Sequence, residues 1–235
     1  MEKIEILAEI GQNHNGDMAI AYDLIHAAKE VGADVVKFQL YDARKLFPKE
    51  NNEWYEYNCR TELTREQVFG LFEECQKVDV EFMASVFDTI RVGWLEEIGV
   101  KRYKVASRSI HDKTLIAKIG STGKPMIVSL GVWHESSFPV IPTRASVDYL
   151  YCISKYPTPL GELHMSKVDF SRYAGFSDHT EGINAAIAAM ARGARIIEKH
   201  FTLDKKMYGP DHACSMVPAE MSLLNQFRKD LKKLL

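Results

Sequence analysis

The chain has 235 residues, 46% of them apolar, and a formal charge of −2; that length suits one large α/β domain with a substantial core, and the near-neutral balance argues against a general nucleic-acid binder with its basic face. The first ten residues carry neither the apolar centre nor the cleavage site of a secretory signal, and no uncharged apolar run reaches the ~18 residues needed to span a membrane. Cys59, Cys75, Cys152 and Cys214 are scattered without a C-x-x-C pair, so reduced, mostly buried thiols in a cytoplasmic protein are the expectation.

Short β-branched runs alternate with longer helical patterns, the signature of repeated βαβ units around a parallel sheet. In chain order the pattern predicts a strand over 4–9, a helix over 18–31 and a strand over 34–39. A long insertion over 41–60 follows, rich in Trp, Tyr, Asn and charge, on the side where such loops tend to cover an active site. Then come a helix over 64–78, strand 81–85, helix 90–99, strand 102–107, helix 112–120 and strand 125–129. Gly32, Gly99, Gly120 and Gly193 are placed to end helices in the left-handed conformation. Over 131–145, where a fifth helix belongs, Pro139 and Pro142 forbid a regular helix through the middle. Strands over 148–152, 175–177 and 195–199 complete a set of eight, with a helix over 182–193 between the last two. From Pro218 a final helix puts Met221, Leu224, Phe227, Leu231 and Leu234 on one face, to pack on the barrel. The expectation is one (β/α)8 TIM barrel over 1–235 with a truncated or missing fifth helix, whose bare wall offers a partner surface.

In such a barrel the chemistry sits at the carboxyl ends of the strands. Polar residues crowd those ends: Glu9; Lys37 and Gln39; Ser85; Lys104 and Ser107; Ser129; Ser154 and Tyr156; Ser177, Asp178 and His179; Glu198, Lys199 and His200; and then Asp211 and His212. Singly each has a plain structural explanation, as an N-cap, a snorkelling lysine or a hydrogen-bonded histidine. Together they call for a ligand or for one another, because buried charge is costly unless paired. Lys37 and Lys104 with the hydroxyls of Ser85, Ser107, Ser129 and Ser177 suit an anion bearing phosphate and carboxylate. His179 and His200 are placed to share a divalent cation, with positions left for water and a substrate oxygen; the residue types do not separate manganese from zinc, magnesium or cobalt. Glu9 suits a base, an acid or a sugar-hydroxyl contact. No P-loop, GxGxxG or GxSxG motif competes.

AEIGQNHNG at 8–16, VKFQ at 36–39, YKVAS at 103–107, GKPMIVSLG at 123–131, YPTP at 156–159, GFSDHT at 175–180, EKHF at 198–201 and GPDHACSM at 209–216 resemble, in this order, the sialic acid synthase (N-acetylneuraminate synthase) family. The resemblance spans nearly the whole chain. It implies a (β/α)8 barrel that condenses phosphoenolpyruvate with an N-acetylmannosamine-like or other aldose, giving a 3-deoxy-2-ulosonic acid and phosphate. It further implies that His179 and His200 hold a divalent metal, manganese first with magnesium or cobalt as alternatives. By the same resemblance Lys37, Lys104, Ser107, Ser129 and Ser177 attend phosphoenolpyruvate and its charge; Ser85, Ser154 and Glu198 are further candidates for substrate binding, Ser154 standing where the family usually has Asn. Gln39, Tyr156 and Asp211 would lie near the sugar or metal, with Glu9 as contact or proton-transfer partner of the sugar.

Two departures bear on the acceptor. After YKVAS the family commonly reads Gly-Glu, whereas this chain reads Arg108-Ser109, replacing an acid and adding a cation. The chain also ends at Leu235 without the C-terminal antifreeze-like domain of family members, which implies a homo-oligomer or a partner chain that completes the sugar site. Two other classes remain open: a metal-dependent sugar isomerase or aldolase, which leaves the lysines and serines without an anion, and a barrel that binds a sugar or phosphate without turnover.

Overall fold

A computed structural model describes residues 3–234. Eight parallel strands close a barrel in sequence order: β1 (Glu5–Gly11), β2 (Val35–Leu40), β3 (Glu81–Val86), β4 (Tyr103–Val105), β5 (Met126–Ser129), β6 (Val147–Cys152), β7 (Gly175–Asp178) and β8 (Ile196–His200). The helices are α1 (Met18–Glu30), α2 (Ala43–Leu46), α3 (Tyr55–Arg60), α4 (Arg65–Lys77), α5 (Thr89–Ile98), α6 (Lys113–Gly120), α7 (Asn184–Ala191) and α8 (Pro218–Leu234). Most of the longer ones start at a short polar side chain. Asp17, Asp88 and Asp112 accept from the backbone N–H of Ala19, Arg91 and Leu115, and Thr64 with Gln67 closes a capping box on α4. Among the described residues no helix is long and apolar enough to cross a membrane.

Side chains alternate across a strand, so every second residue of each strand faces the barrel axis. The parallel register stacks these residues in layers. At the amino-terminal end Arg102 is held by Glu5 and Glu81, both at 2.8 Å. Above lies an apolar plug of Leu7, Val35, Met83, Ile127, Leu150, Ala174 and Ile196, all buried. Two residues further along β1, β2, β3, β5, β6 and β8 stand Glu9, Lys37, Ser85, Ser129, Cys152 and Glu198. The outward faces, among them Ile6, Val36, Phe38, Ala84, Val128 and Ile197, make the larger core against the helices.

The wall after β5 has no helix. Residues 130–146 run as turns and bends, tied by Trp133 Nε1 donating to the Ser137 carbonyl at 2.8 Å and by the Tyr149 hydroxyl donating to that of Pro139 at 2.5 Å. The connection after β6, residues 153–174, differs from a regular βα unit as well: Pro157 and Pro159 lie near its start, and it holds only two 3-10 turns, Leu160–Glu162 and Met165–Lys167. Gly32, Gly99 and Gly193 take positive φ as expected, whereas Gly120 does not. Its small size serves a different end, since a Cβ there would meet the Pro142 carbonyl at 2.4 Å where the helix-free segment crosses α6.

The final helix buries Met221, Leu224 and Leu231 and packs Phe227 against the core, but Leu234 is 78% exposed, beyond the reach of the barrel surface. Polar contacts fix α8 in place: Asn225 donates to the Val31 carbonyl at 3.0 Å, and Arg228 donates to the Gly32 carbonyl at 3.0 Å and pairs with Asp34. Gly32, at φ +97°, lies under Asn225, whose amide nitrogen would be 1.9 Å from an added Cβ. Gly32→Ala is therefore expected to cost ~2 kcal/mol or more through the left-handed backbone and the displaced Asn225, read as a lowered urea midpoint; an unchanged midpoint would show that α8 does not depend on this contact.

Candidate active site

At the carboxyl ends of the strands two contiguous cavities share Gln39, Ala106, Ser107, Tyr156 and His200. The inner one, about 50 Å³, is also lined by Glu9, Lys37, Ser85, Lys104, Ser129, Cys152, Ser177, His179 and Glu198. The outer one, about 330 Å³, adds Gln12, Phe47, Phe87, Arg108, Val132, Ser154 and Asp211. All fourteen residues singled out as catalytic, substrate-binding or metal-holding thus border one or both cavities.

The inner floor is a compensated charge network. Lys37 Nζ donates to Ser85 Oγ at 3.0 Å, pairs with Glu9 and lies 3.6 Å from Glu198. Lys104 Nζ donates to Ser129 Oγ at 2.8 Å and lies 3.4 Å from the same Glu198. Glu198 accepts from Ser177 Oγ at 2.8 Å, and Glu9 from Gln39 Nε2 at 2.9 Å. Burial works against each of these charges. For Lys37 the two carboxylates outweigh it and the pKa stands above the usual lysine value. For Lys104 burial prevails, aided by repulsion from Lys37, and the pKa is lowered. In Glu198 burial is overcome by Lys104, Lys37 and the Ser177 hydroxyl, which keep the carboxyl well below its usual range. The arrangement offers two cations and several hydroxyls to an incoming anion while holding itself neutral.

Beside this floor the His179 and His200 rings lie 5.9 Å apart, with Tyr156 packed on His179 at 4.0 Å. His179 Nδ1 is 2.7 Å from the Ile153 carbonyl; a carbonyl only accepts, so Nδ1 carries the proton and Nε2 keeps its lone pair. Burial, then His200, lowers the His179 pKa to about 3, leaving the ring neutral. His200 Nδ1 is buried without a hydrogen-bond partner and lies 3.9 Å from the Asp211 carboxylate. Two nitrogen donors and a nearby carboxylate fit a first-row divalent ion that keeps open positions. Among the described residues, three or more His, Cys, Asp or Glu groups do not converge into a closed metal site. The pair lines the inner cavity.

Strand alternation removes two residues from the strand-end ring, and a local hydrogen bond accounts for a third. Asp178 and Lys199 point away from the axis and pair with each other at 3.1 Å, both fully buried, with Lys199 also donating to the Thr180 carbonyl at 2.7 Å. His212 bonds Thr202 Oγ1 at 2.7 Å and is structural. The residues that sequence reasoning left out are Gln12, Phe47, Phe87, Ala106, Val132 and Cys152. Cys152 was legible, being two residues past the inward Leu150. Gln12 holds the insertion down: its amide donates to Tyr41 Oη at 2.5 Å and Asn58 Oδ1 at 2.8 Å, while the Tyr57 hydroxyl donates to its carbonyl at 2.9 Å. That network sets Phe47 over the outer cavity, as expected of a covering insertion.

Fold and site define a (β/α)8 barrel with an anion-fitting floor and a histidine pair at its carboxyl mouth. Residues 24–235 match the NeuB family, and the chain belongs to that family. It is 38% identical to an uncharacterized protein of Methanocaldococcus jannaschii, over 95% of this chain and 69% of that one. It is 36% identical to the N,N'-diacetyllegionaminic acid synthase of Legionella pneumophila, over 98% and 72% of the respective chains. The crystal structure of the N-acetylneuraminic acid synthetase of Leptospira borgpetersenii superposes with a TM-score of 0.91 at 30% identity, covering 99% of this chain and 85% of that one.

The loop beneath the site carries a pH dependence. The Gly16 N–H donates to His14 Nδ1 at 3.1 Å, and the ring is fully buried, which lowers its pKa from 6.5 to about 4. The unfolded chain therefore takes up the proton first as pH falls, so stability is full above about 6.5 and is lost between 6.5 and 4. His14 is expected to contribute a loss of up to ~3 kcal/mol across that window, beside that of the likewise lowered His179, so the slope is shallower in His14→Gln; equal slopes in denaturant titrations would exclude a contribution from His14.

Proposed function

We propose that this chain condenses phosphoenolpyruvate with a sugar aldehyde, giving a 3-deoxy-2-ulosonic acid and inorganic phosphate with the help of a divalent metal. The observation that carries the reading is the junction of Lys37, Lys104 and four serine hydroxyls with the His179–His200 pair in one cavity that opens into a larger one. The names of the Legionella and Leptospira relatives support the same chemistry.

In that reaction C3 of the enol attacks the aldehyde carbon and forms the new C–C bond, and the aldehyde oxygen takes a proton. Water adds to C2 and loses a proton; the bond from C2 to the phosphate oxygen then breaks, phosphate leaving with its electron pair, and the C2 hydroxyl gives up its own proton as it becomes the ketone carbonyl. Lys37 and Lys104, with Ser85, Ser107, Ser129 and Ser177, would bind the phosphate and carboxylate and stabilise the charge that moves onto the departing group. Glu198 keeps the two lysines paired until the anion arrives. Glu9, oriented by Gln39, would exchange a proton with the acceptor or hold its hydroxyl. Tyr156, Ser154 and Asp211, at the boundary with the outer cavity, would orient the sugar. His179 and His200 would hold the metal, with manganese proposed ahead of magnesium or cobalt. A divalent ion there supplies Lewis-acid polarisation of the aldehyde.

Phosphate release from phosphoenolpyruvate, measured with added Mn²⁺ across a panel of aldoses, tests the proposal. Release that needs both metal and a sugar is the expected result; binding of phosphoenolpyruvate and metal without release under any sugar would turn the reading to a binding barrel. Lys37→Ala is expected to raise the KM for phosphoenolpyruvate at least ~10-fold, and an effect confined to the aldose would contradict its role. His200→Ala is expected to abolish metal-dependent turnover with the fold intact.

The wall bared by the missing fifth helix, with Val140 95% exposed, is proposed as the contact between copies of the chain. Hydrogen exchange over 131–145 should then slow with protein concentration; fast exchange at every concentration in a monomer would remove the idea.

A further inference from the structure

The outer cavity carries a cation that the chemistry described so far does not use. Arg108 sits in the 3-10 turn Ser107–Ser109 that leaves β4, and it lines this cavity on the side away from the lysine floor. Its guanidinium centre is 5.2 Å from the centroid of the Phe47 ring and 6.0 Å from that of Phe87. Two aromatic rings on separate loops therefore steady the group without neutralising it. The more enclosed Arg91 and Arg102 are neutralised, by Glu62 and Asp88 and by Glu5 and Glu81, whereas Arg108 is exposed to the cavity. Arg108 has no carboxylate within ion-pair distance among the described residues. Burial disfavours its charge, and the nearby Tyr156 is its other titratable neighbour.

The geometry of the proposed reaction fixes which end of the acceptor meets this cation. The aldehyde must reach the inner cavity, where the enol and the histidines are, so the rest of an acyclic sugar extends into the outer one. A cavity wall that presents a planar, permanently charged, uncompensated guanidinium is matched by a group with several oxygens and negative charge. Asp211, on the histidine side of the same cavity, leaves the acceptor's hydroxyls something to donate to. We propose that Arg108 is a specificity-determining residue and that the acceptor is an aldose bearing an oxyanion, phosphate or carboxylate, at the end remote from its aldehyde. This rests on the condensation proposed above.

The test pairs neutral and anionic acceptors that differ only at the distal carbon: a hexosamine against its 6-phosphate, and a hexose against the matching hexuronic acid. Wild-type protein, Arg108→Gln and Arg108→Lys are assayed for phosphate release with phosphoenolpyruvate and Mn²⁺. The expected result is an anionic preference in the wild type that falls about 10- to 100-fold in Arg108→Gln, through KM for the acceptor. Arg108→Lys should recover part of it, and the KM for phosphoenolpyruvate should not move. The phosphate and uronate arms show which oxyanion is read. A wild type that uses neutral and anionic partners equally, or a variant that loses both alike, overturns the proposal. If no aldose supports release, calorimetry of each sugar phosphate and uronate with the Mn²⁺- and phosphoenolpyruvate-loaded protein decides separately. Binding lost in Arg108→Gln upholds the role of Arg108 although the condensation has failed, and equal or absent binding in both proteins sinks it.

Discussion

Glu198 stands between Lys37 and Lys104, and the barrel mouth depends on that arrangement of charge. Each lysine is fully enclosed, and an isolated ammonium there would cost several kcal/mol in lost hydration. One carboxylate shared between them, with Glu9 as second partner of Lys37, keeps both sites occupied by charge in the absence of ligand. Only Lys37 has a second carboxylate in contact, and Lys37 itself repels Lys104, which is why the two move in opposite directions from the usual lysine pKa. The serines on β3, β5 and β7 complete the hydrogen bonds that carboxylates alone leave open. A floor of this kind is preorganised: its donors are held in place in the absence of ligand, as the binding of anionic phosphoenolpyruvate proposed above requires.

The same alternation that aims Lys37 inward aims Asp178 and Lys199 outward, and so the strands carry two charge systems back to back. One faces the cavity; the other clamps β7 and β8 from behind, next to His179, which directly follows β7, and His200, which ends β8. Around them the loop after β1 acts as a frame rather than as chemistry. Asn13 donates to the Phe201 carbonyl at 2.8 Å and to Ser215 Oγ at 2.9 Å, and Gln12 ties down the insertion. The dense polar motif at 8–16 is thus divided between Glu9, which faces the inner cavity, and neighbours that hold other elements to it.

Eight strands were legible because each is a short run rich in β-branched and aromatic residues set between helical patterns, and the site was legible because polar residues recur at the same end of nearly every run. What escaped reading depends on contacts between distant segments. Nothing local tells that Gly120 is small to let Pro142 pass rather than to turn the chain, nor that Leu234 outruns the surface it would pack on. Arg108 was visible as a departure from the family pattern, but its environment was not, since Phe47 and Phe87 come to it from two other loops. Lys199 and Asp178 read as site residues until the pleat assigned them to the opposite face.

The barrel is unevenly armoured. Helices cover β1 to β4, β7 and β8, whereas the connections after β5 and β6 lack them. Yet it is the Ile153 carbonyl, immediately beyond β6, that decides which nitrogen of His179 carries the proton. The most thinly covered stretch of wall thus sets the tautomer of a buried ring on the neighbouring strand. Local opening there, well short of unfolding, would let that proton migrate and the imidazole turn its other nitrogen to the cavity. The chemical readiness of the site is therefore tied to the local, not the global, stability of the fold.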